Sequence, residues 1–197
     1  MLKEQSRIPD VLSDSELEAL IEACPERTRQ VVIMAADTGM RRSEIQRLTW
    51  RDVNFEAGTV TVRQSMNKDY RVIPMTDRVR SLLAHLQPAL AQPDRPVLAF
   101  GDIKRSLHSA GMKSKVGYVH LHQLRHTFAT RLRDRGVPLD RIMELMGHRS
   151  MEMALRYAKA RPQQLVDAIA SLNIGFPSMS ATSQLKGGIG PFWTRRS

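Results

Sequence analysis

The chain has 197 residues, with 30 Lys and Arg against 20 Asp and Glu and a formal net charge of +10. That length suits one well-buried domain or two very small ones, and the charge favours a polyanionic partner, nucleic acid first and an anionic membrane surface second. The single Cys24 excludes an intrachain disulfide and suits a reducing cytoplasm, no apolar run approaches the roughly 18 residues of a membrane span, and the polar start MLKEQSRIPD does not read as a signal peptide.

In chain order, LSDSELEALIEA opens a helix, with Ser13 and Glu16 spaced as a capping box and Leu17, Leu20 and Ile21 as its buried stripe. Pro25 stops it. ERTRQVVIMAAD predicts a more apolar, central helix, broken by Thr38 and Gly39. MRRSEIQRL predicts a short helix. GTVTVRQ and YRVIPM are alternating β-branched runs around SMNKD, a hairpin signal. DRVRSLLAHLQ returns to helix and QPALAQPDRP is a Pro-rich connector. VLAF predicts a short strand, and DIKRSLHSAG a helix ending at Gly111. LHQLRHTFATRL is amphipathic through Leu121, Leu124, Phe128 and Leu132. LDRIMELMG stops at Gly147, and SMEMALRYAKA and PQQLVDAIASL are the last helical patterns. From about residue 174 the chain is rich in Gly, Ser and Pro, which reads either as a disordered tail or, through Phe192 and Trp193, as a docking segment. The sum is an α+β fold: one mostly helical domain with a small antiparallel β-sheet.

His122 and Arg125 lie three residues apart beside the apolar stripe of their helix. One reading is a solvated or locally bonded pair. A second is a metal site, because His122 and His126 have zinc-helix spacing. Gln123 stands where that motif needs Glu, and no Cys or carboxylate nearby completes the ligand set. A third is phosphate: a guanidinium fork matches phosphate oxygens and an imidazole adds a further donor. Phosphoryl transfer needs more cations and a nucleophile. Arg41 follows a Gly break at a helix start, where anions are favoured. His148 follows the Gly147 stop, and Tyr157 lies nine residues beyond it.

Together these motifs resemble the catalytic domain of the tyrosine recombinases, the phage-integrase family. TGMRRSE fits that family's T-G-apolar-R-x-S-E pattern with Arg41. HQLRHTFAT fits its H-x-x-R motif with His122 and Arg125, Gln123 being the departure. MGH fits the L-G-H motif through His148, with Met146 for Leu, and Tyr157 stands at the nucleophile's interval. The four occur in order over residues 13 to about 173.

The resemblance implies a site-specific DNA recombinase or integrase acting through a 3′-phosphotyrosine. Arg41, His122, Arg125 and His148 would hold the scissile phosphate and Tyr157 would attack it, with no ATP, metal or other cofactor. The family's hairpin Lys, the acid for the leaving 5′ oxygen, usually lies about eight residues before the closing Pro. Eight before Pro74 is Met66; Lys68 is two residues later. Either Lys68 serves or the position is lost, and the alternative function is then a catalytically impaired DNA-binding relative of the same fold. The resemblance further implies a catalytic domain over 1–173 and a flexible or partner-docking tail over 174–197. Typical members carry an N-terminal DNA-clamping domain; only about 12 residues precede the first helix here, so the expected chain is either a fragment or a short single-domain member in which that clamp is absent. The implied partners are double-stranded DNA and further copies of the chain, as a tetramer on DNA, in the cytoplasm and not at a membrane.

Overall fold

The computed structural model describes residues 11–63, 70–90 and 92–147. All belong to the first of two units, Met1–Ala160 and Arg161–Ser197, into which the chain divides. The hairpin tip with Met66 and Lys68, the segment with His148 and Tyr157, the last two helical patterns, the 173/174 boundary and the tail lie outside the described residues.

Helix α1 (Asp14–Ala23) begins as its sequence requires. The Glu16 amide donates to Ser13 Oγ at 3.2 Å and the Ser13 amide to Glu16 Oε2 at 2.8 Å, so both orphan donors are satisfied. Helix α2 (Glu26–Thr38) is the centre of the fold, with every residue from Val31 to Thr38 buried. Such a helix, apolar almost all round, is stable only when neighbours cover each side. They are α1, α4 (Asp77–Leu86) and α6 (Leu121–Asp134). One polar residue of that buried run, Asp37, is only 4% exposed and takes two guanidinium groups. Arg78 of α4 donates at 2.7 and 3.1 Å and Arg131 of α6 at 3.0 Å, so the buried carboxylate fixes both flanking helices against α2.

Short α3 (Arg42–Arg47) leads through a 3₁₀ turn, Trp50–Asp52, into an antiparallel meander of β1 (Val53–Asn54), β2 (Thr59–Arg63) and β3 (Tyr70–Pro74). The expected hairpin is β2–β3; β1 adds a third strand, pairing Val53 with Val60. On the core side, Val60 and Val62 of β2 stand opposite Ile73 and Arg71 of β3.

Two expectations are corrected. VLAF forms no strand. The chain there makes an isolated bridge, Thr49 to Pro96, and the Val97 amide donates to Leu48 O at 2.8 Å. Pro96 has no N–H to extend the ladder. Helix α5 (Lys104–Lys113) also runs through Gly111 instead of ending there. A Cβ at Gly111 would fall 2.1 Å from Gly117 O, so this glycine serves a close backbone approach. The turn comes later, where Lys115 and Gly117 have positive φ. Helix α7 (Leu139–Met146) ends as expected, with Gly147 left-handed at φ 63. It packs on α6 and β3, around Phe128, Ala129, Ile142 and Met146.

Candidate active site

The α2 stop shapes the first part of the site. Gly39 has φ 65, and a Cβ there would lie 2.5 Å from Phe128 Cδ1. Glycine is therefore needed both for conformation and for space. The turn aims the Gly39 carbonyl at α6, where Arg125 Nη1 donates to it. Arg125 is 2% exposed, and its Nη2 donates to Met146 O at the end of α7. One buried guanidinium thus ties the α2 stop to the α7 stop.

Arg41 occupies the N-cap position of α3. Its guanidinium has no acceptor atom, so the capping bond comes from the other side. Glu44, one turn in, accepts the Arg41 amide on Oε2 at 2.7 Å and Arg41 Nη1 on Oε1 at 3.0 Å. Arg71 completes the cluster with a bidentate fork, Nη1 to Oε1 at 3.0 Å and Nη2 to Oε2 at 2.7 Å. Burial alone would raise the Glu44 carboxyl, but the bonds and charge of Arg71, then those of Arg41, outweigh it and hold it at about 2.

That shift fixes a sign. A carboxyl lowered from 4.5 to about 2 on folding contributes stability that is fully present above 4.5 and lost as pH falls through about 2. Glu44→Gln leaves the buried Arg71 charge unpaired and should cost about 3–5 kcal/mol at pH 7. The gap from the parent protein, read by denaturant titration, should narrow steadily below pH 4.5. A gap independent of pH would mean that the carboxylate charge contributes nothing.

Arg41, Arg42, Ser43 and Gln46 form one wall of an open cleft of about 570 Å³, with Leu121, His122 and Arg125 on the other. His122 is exposed, and its ring meets that of the buried His126 edge-on, centroids 4.4 Å apart. Arg42 donates to Gly101 O at 2.9 Å and Gln46 to Phe100 O at 3.2 Å, which seats α3 on the loop that leads into α5. Three of the expected site residues, Arg41, His122 and Arg125, therefore line one cavity although they come from distant parts of the chain. Lys68, His148 and Tyr157 lie outside the described residues. Sequence reading passed over Glu44 and Arg71 as participants. Glu44 sits within TGMRRSE, and Arg71 was findable from strand register: once Val60 and Val62 face inward, their partners Ile73 and Arg71 must too.

An anion entering this cleft would meet arginines from both of its walls and an imidazole. That is a donor set for a phosphodiester. Among the described residues no helix is long and apolar enough to cross a membrane.

Comparison with known proteins agrees with this architecture. The chain is 31% identical over 183 residues to the tyrosine recombinase XerA of Pyrococcus furiosus, covering 85% of this chain and 63% of that protein. It thus spans less than two thirds of that relative's length. A crystal structure of XerA recombinase aligns with a TM-score of 0.71 at 25% identity, over 87% of this chain and 66% of that one. The catalytic domain of bacteriophage HP1 integrase aligns with a TM-score of 0.63 at 25% identity, over 88% of this chain and 98% of that domain. The phage integrase family profile matches residues 10–164, most of the chain, and the chain belongs to that family.

Proposed function

We propose that residues 1–173 act as the catalytic domain of a site-specific tyrosine recombinase, cutting and rejoining double-stranded DNA without metal or ATP. The observation that carries this reading is the convergence of Arg41, His122 and Arg125 on one cleft. The scissile phosphate enters as a monoanion and gains charge as a fifth oxygen approaches, and fixed cations stabilise that gain most. Tyr157 loses its hydroxyl proton to solvent as its oxygen attacks phosphorus, the P–O5′ bond breaks, and the 3′ phosphate is left on the tyrosine. Lys68 supplies a proton to the departing 5′ oxygen, and His148 completes the phosphate's surroundings. A 5′ hydroxyl then attacks the phosphotyrosine, reseals the strand and frees the tyrosine, so the bond energy is conserved and no nucleotide is consumed.

Exchange between two duplexes requires several active copies. The protein accordingly works as a homo-oligomer on DNA, a tetramer, in the cytoplasm, with residues 174–197 either docking on a neighbouring copy or hanging free. Met66, at the position where the family resemblance expects the hairpin lysine, favours one second reading: a DNA-binding relative that cleaves poorly.

The test is covalent trapping. A pool of nicked duplexes with randomised sequence is incubated with the protein in EDTA, and bound species are resolved under denaturing conditions. A protein–DNA adduct, with its DNA end recovered and sequenced, is expected. Binding without any adduct would select the impaired relative, and an adduct that requires a divalent metal would overturn the mechanism.

A further inference from the structure

We propose that Arg71, which no motif of the resemblance includes, is a positioning residue that holds Arg41 and the end of α7 in one arrangement. This rests on the phosphate-cleaving role of the cleft. Arg71 lies on the inward face of β3 opposite Val62, its side chain 6% exposed. A buried ion pair is often no more stabilising than an apolar side chain of the same volume. Leu or Met would fill the place beside Ile73. What arginine adds is direction, because its planar fork bonds in fixed geometry.

Each donor has a separate target. Nη1 and Nη2 take the two oxygens of Glu44, at 3.0 and 2.7 Å. The same oxygens receive the Arg41 guanidinium and the Arg41 amide. Fixing the carboxylate plane therefore fixes Arg41, whose side chain is otherwise 41% exposed and long enough to wander. Nε donates to Leu145 O at 2.7 Å. That carbonyl lies in the last turn of α7, where helical partners run out. The next carbonyl, Met146 O, goes to Arg125. Two guanidiniums thus grip successive carbonyls where the chain departs toward His148. Gly147 makes room: a Cβ there would lie 2.9 Å from Arg71 Nη1 and 3.2 Å from its Cδ. Arg71 thereby joins β3 to both α3 and the last turn of α7.

The test uses Arg71→Lys, which keeps the charge but loses the fork, and Arg71→Met, which keeps volume alone. Single-turnover cleavage at saturating DNA should fall by about 10²-fold in Arg71→Lys, the cost of displacing a reacting group by roughly 1 Å. DNA affinity should stay within a few-fold. In an Arg41→Lys background the same change should cost far less, because Arg71 acts through Arg41. Unchanged cleavage by Arg71→Lys, or full multiplication of the two effects, would reduce Arg71 to packing. A readout independent of cleavage is the Arg41 guanidinium NMR signal of the full chain without DNA. It should collapse by exchange in Arg71→Lys and in Arg71→Met, while the signal of Arg78, held by Asp37, persists. An Arg41 signal that survives both substitutions overturns the proposal even if the parent protein cuts no DNA. Absence of any adduct from the parent protein, with the Arg41 signal lost as expected, would sink the recombinase reading and leave the positioning role in place.

Discussion

Tyr157→Phe should abolish the covalent protein–DNA adduct while leaving DNA affinity within a few-fold of the parent. The substitution deletes one oxygen, and that oxygen is the proposed attacking atom. On the proposed mechanism Arg41, His122 and Arg125 still hold the phosphate, so binding, which depends on cationic contacts to the backbone, has no reason to fall. Water could still enter the cleft, but it would lack the positioning that makes a bound nucleophile effective, and its product would be a free 3′ phosphate and not a protein conjugate. Trapping on nicked duplex followed by denaturing electrophoresis reads the adduct, and a gel-shift titration reads affinity. An adduct that persists in Tyr157→Phe would mean that another side chain is the nucleophile and would remove Tyr157 from the mechanism.

The parts of the fold legible in the sequence were those specified by local chemistry. Ser13 and Glu16 cap α1 because both partners lie within one turn. Gly39 and Gly147 stop their helices because each adopts a positive φ that other residues rarely tolerate. The parts that were not legible depend on residues distant in sequence. Strand β1 is two residues long and exists only because β2 lies beside it. VLAF has strand composition but forms no strand, and the isolated bridge falls on Pro96, the residue before it. Gly111 signals a stop locally, yet its reason is Gly117, which no helical period reveals. The site divides in the same way. No periodicity brings residue 41 to residue 125, and their meeting was expected from family resemblance alone. The physical link is the Arg125 bond to the Gly39 carbonyl, two residues before Arg41. Asp37, Glu44 and Arg71 are buried charges, and a reading of hydrophobic patterns places such residues outside by default.

Arg125→Ala should damage both stability and chemistry, and the two losses can be separated. The side chain is among the largest that are fully buried. Its removal leaves a cavity and takes away the donors to the Gly39 and Met146 carbonyls. Each buried acceptor left unsatisfied costs about 1–3 kcal/mol, so a total of about 3–5 kcal/mol with the cavity is expected. That is a large share of the stability of a typical domain, and the alanine variant should be handled at low temperature. Arg125→Lys isolates the chemistry. The charge stays, but one ammonium cannot reproduce a planar fork aimed at the Gly39 and Met146 carbonyls. If the guanidinium also faces the phosphate, cleavage by the folded Lys variant should drop by about 10²–10³, the usual effect of losing one oxyanion donor. Combined with Arg41→Lys, the loss should be smaller than the product of the single effects if, as proposed, both cations serve one phosphate. The measurements are a denaturant titration for stability and single-turnover cleavage at a temperature where the variant is folded. A Lys variant that is destabilised but cuts at the parental rate would make Arg125 a structural tie between α2 and α7, with the phosphate held by Arg41 and His122 without it.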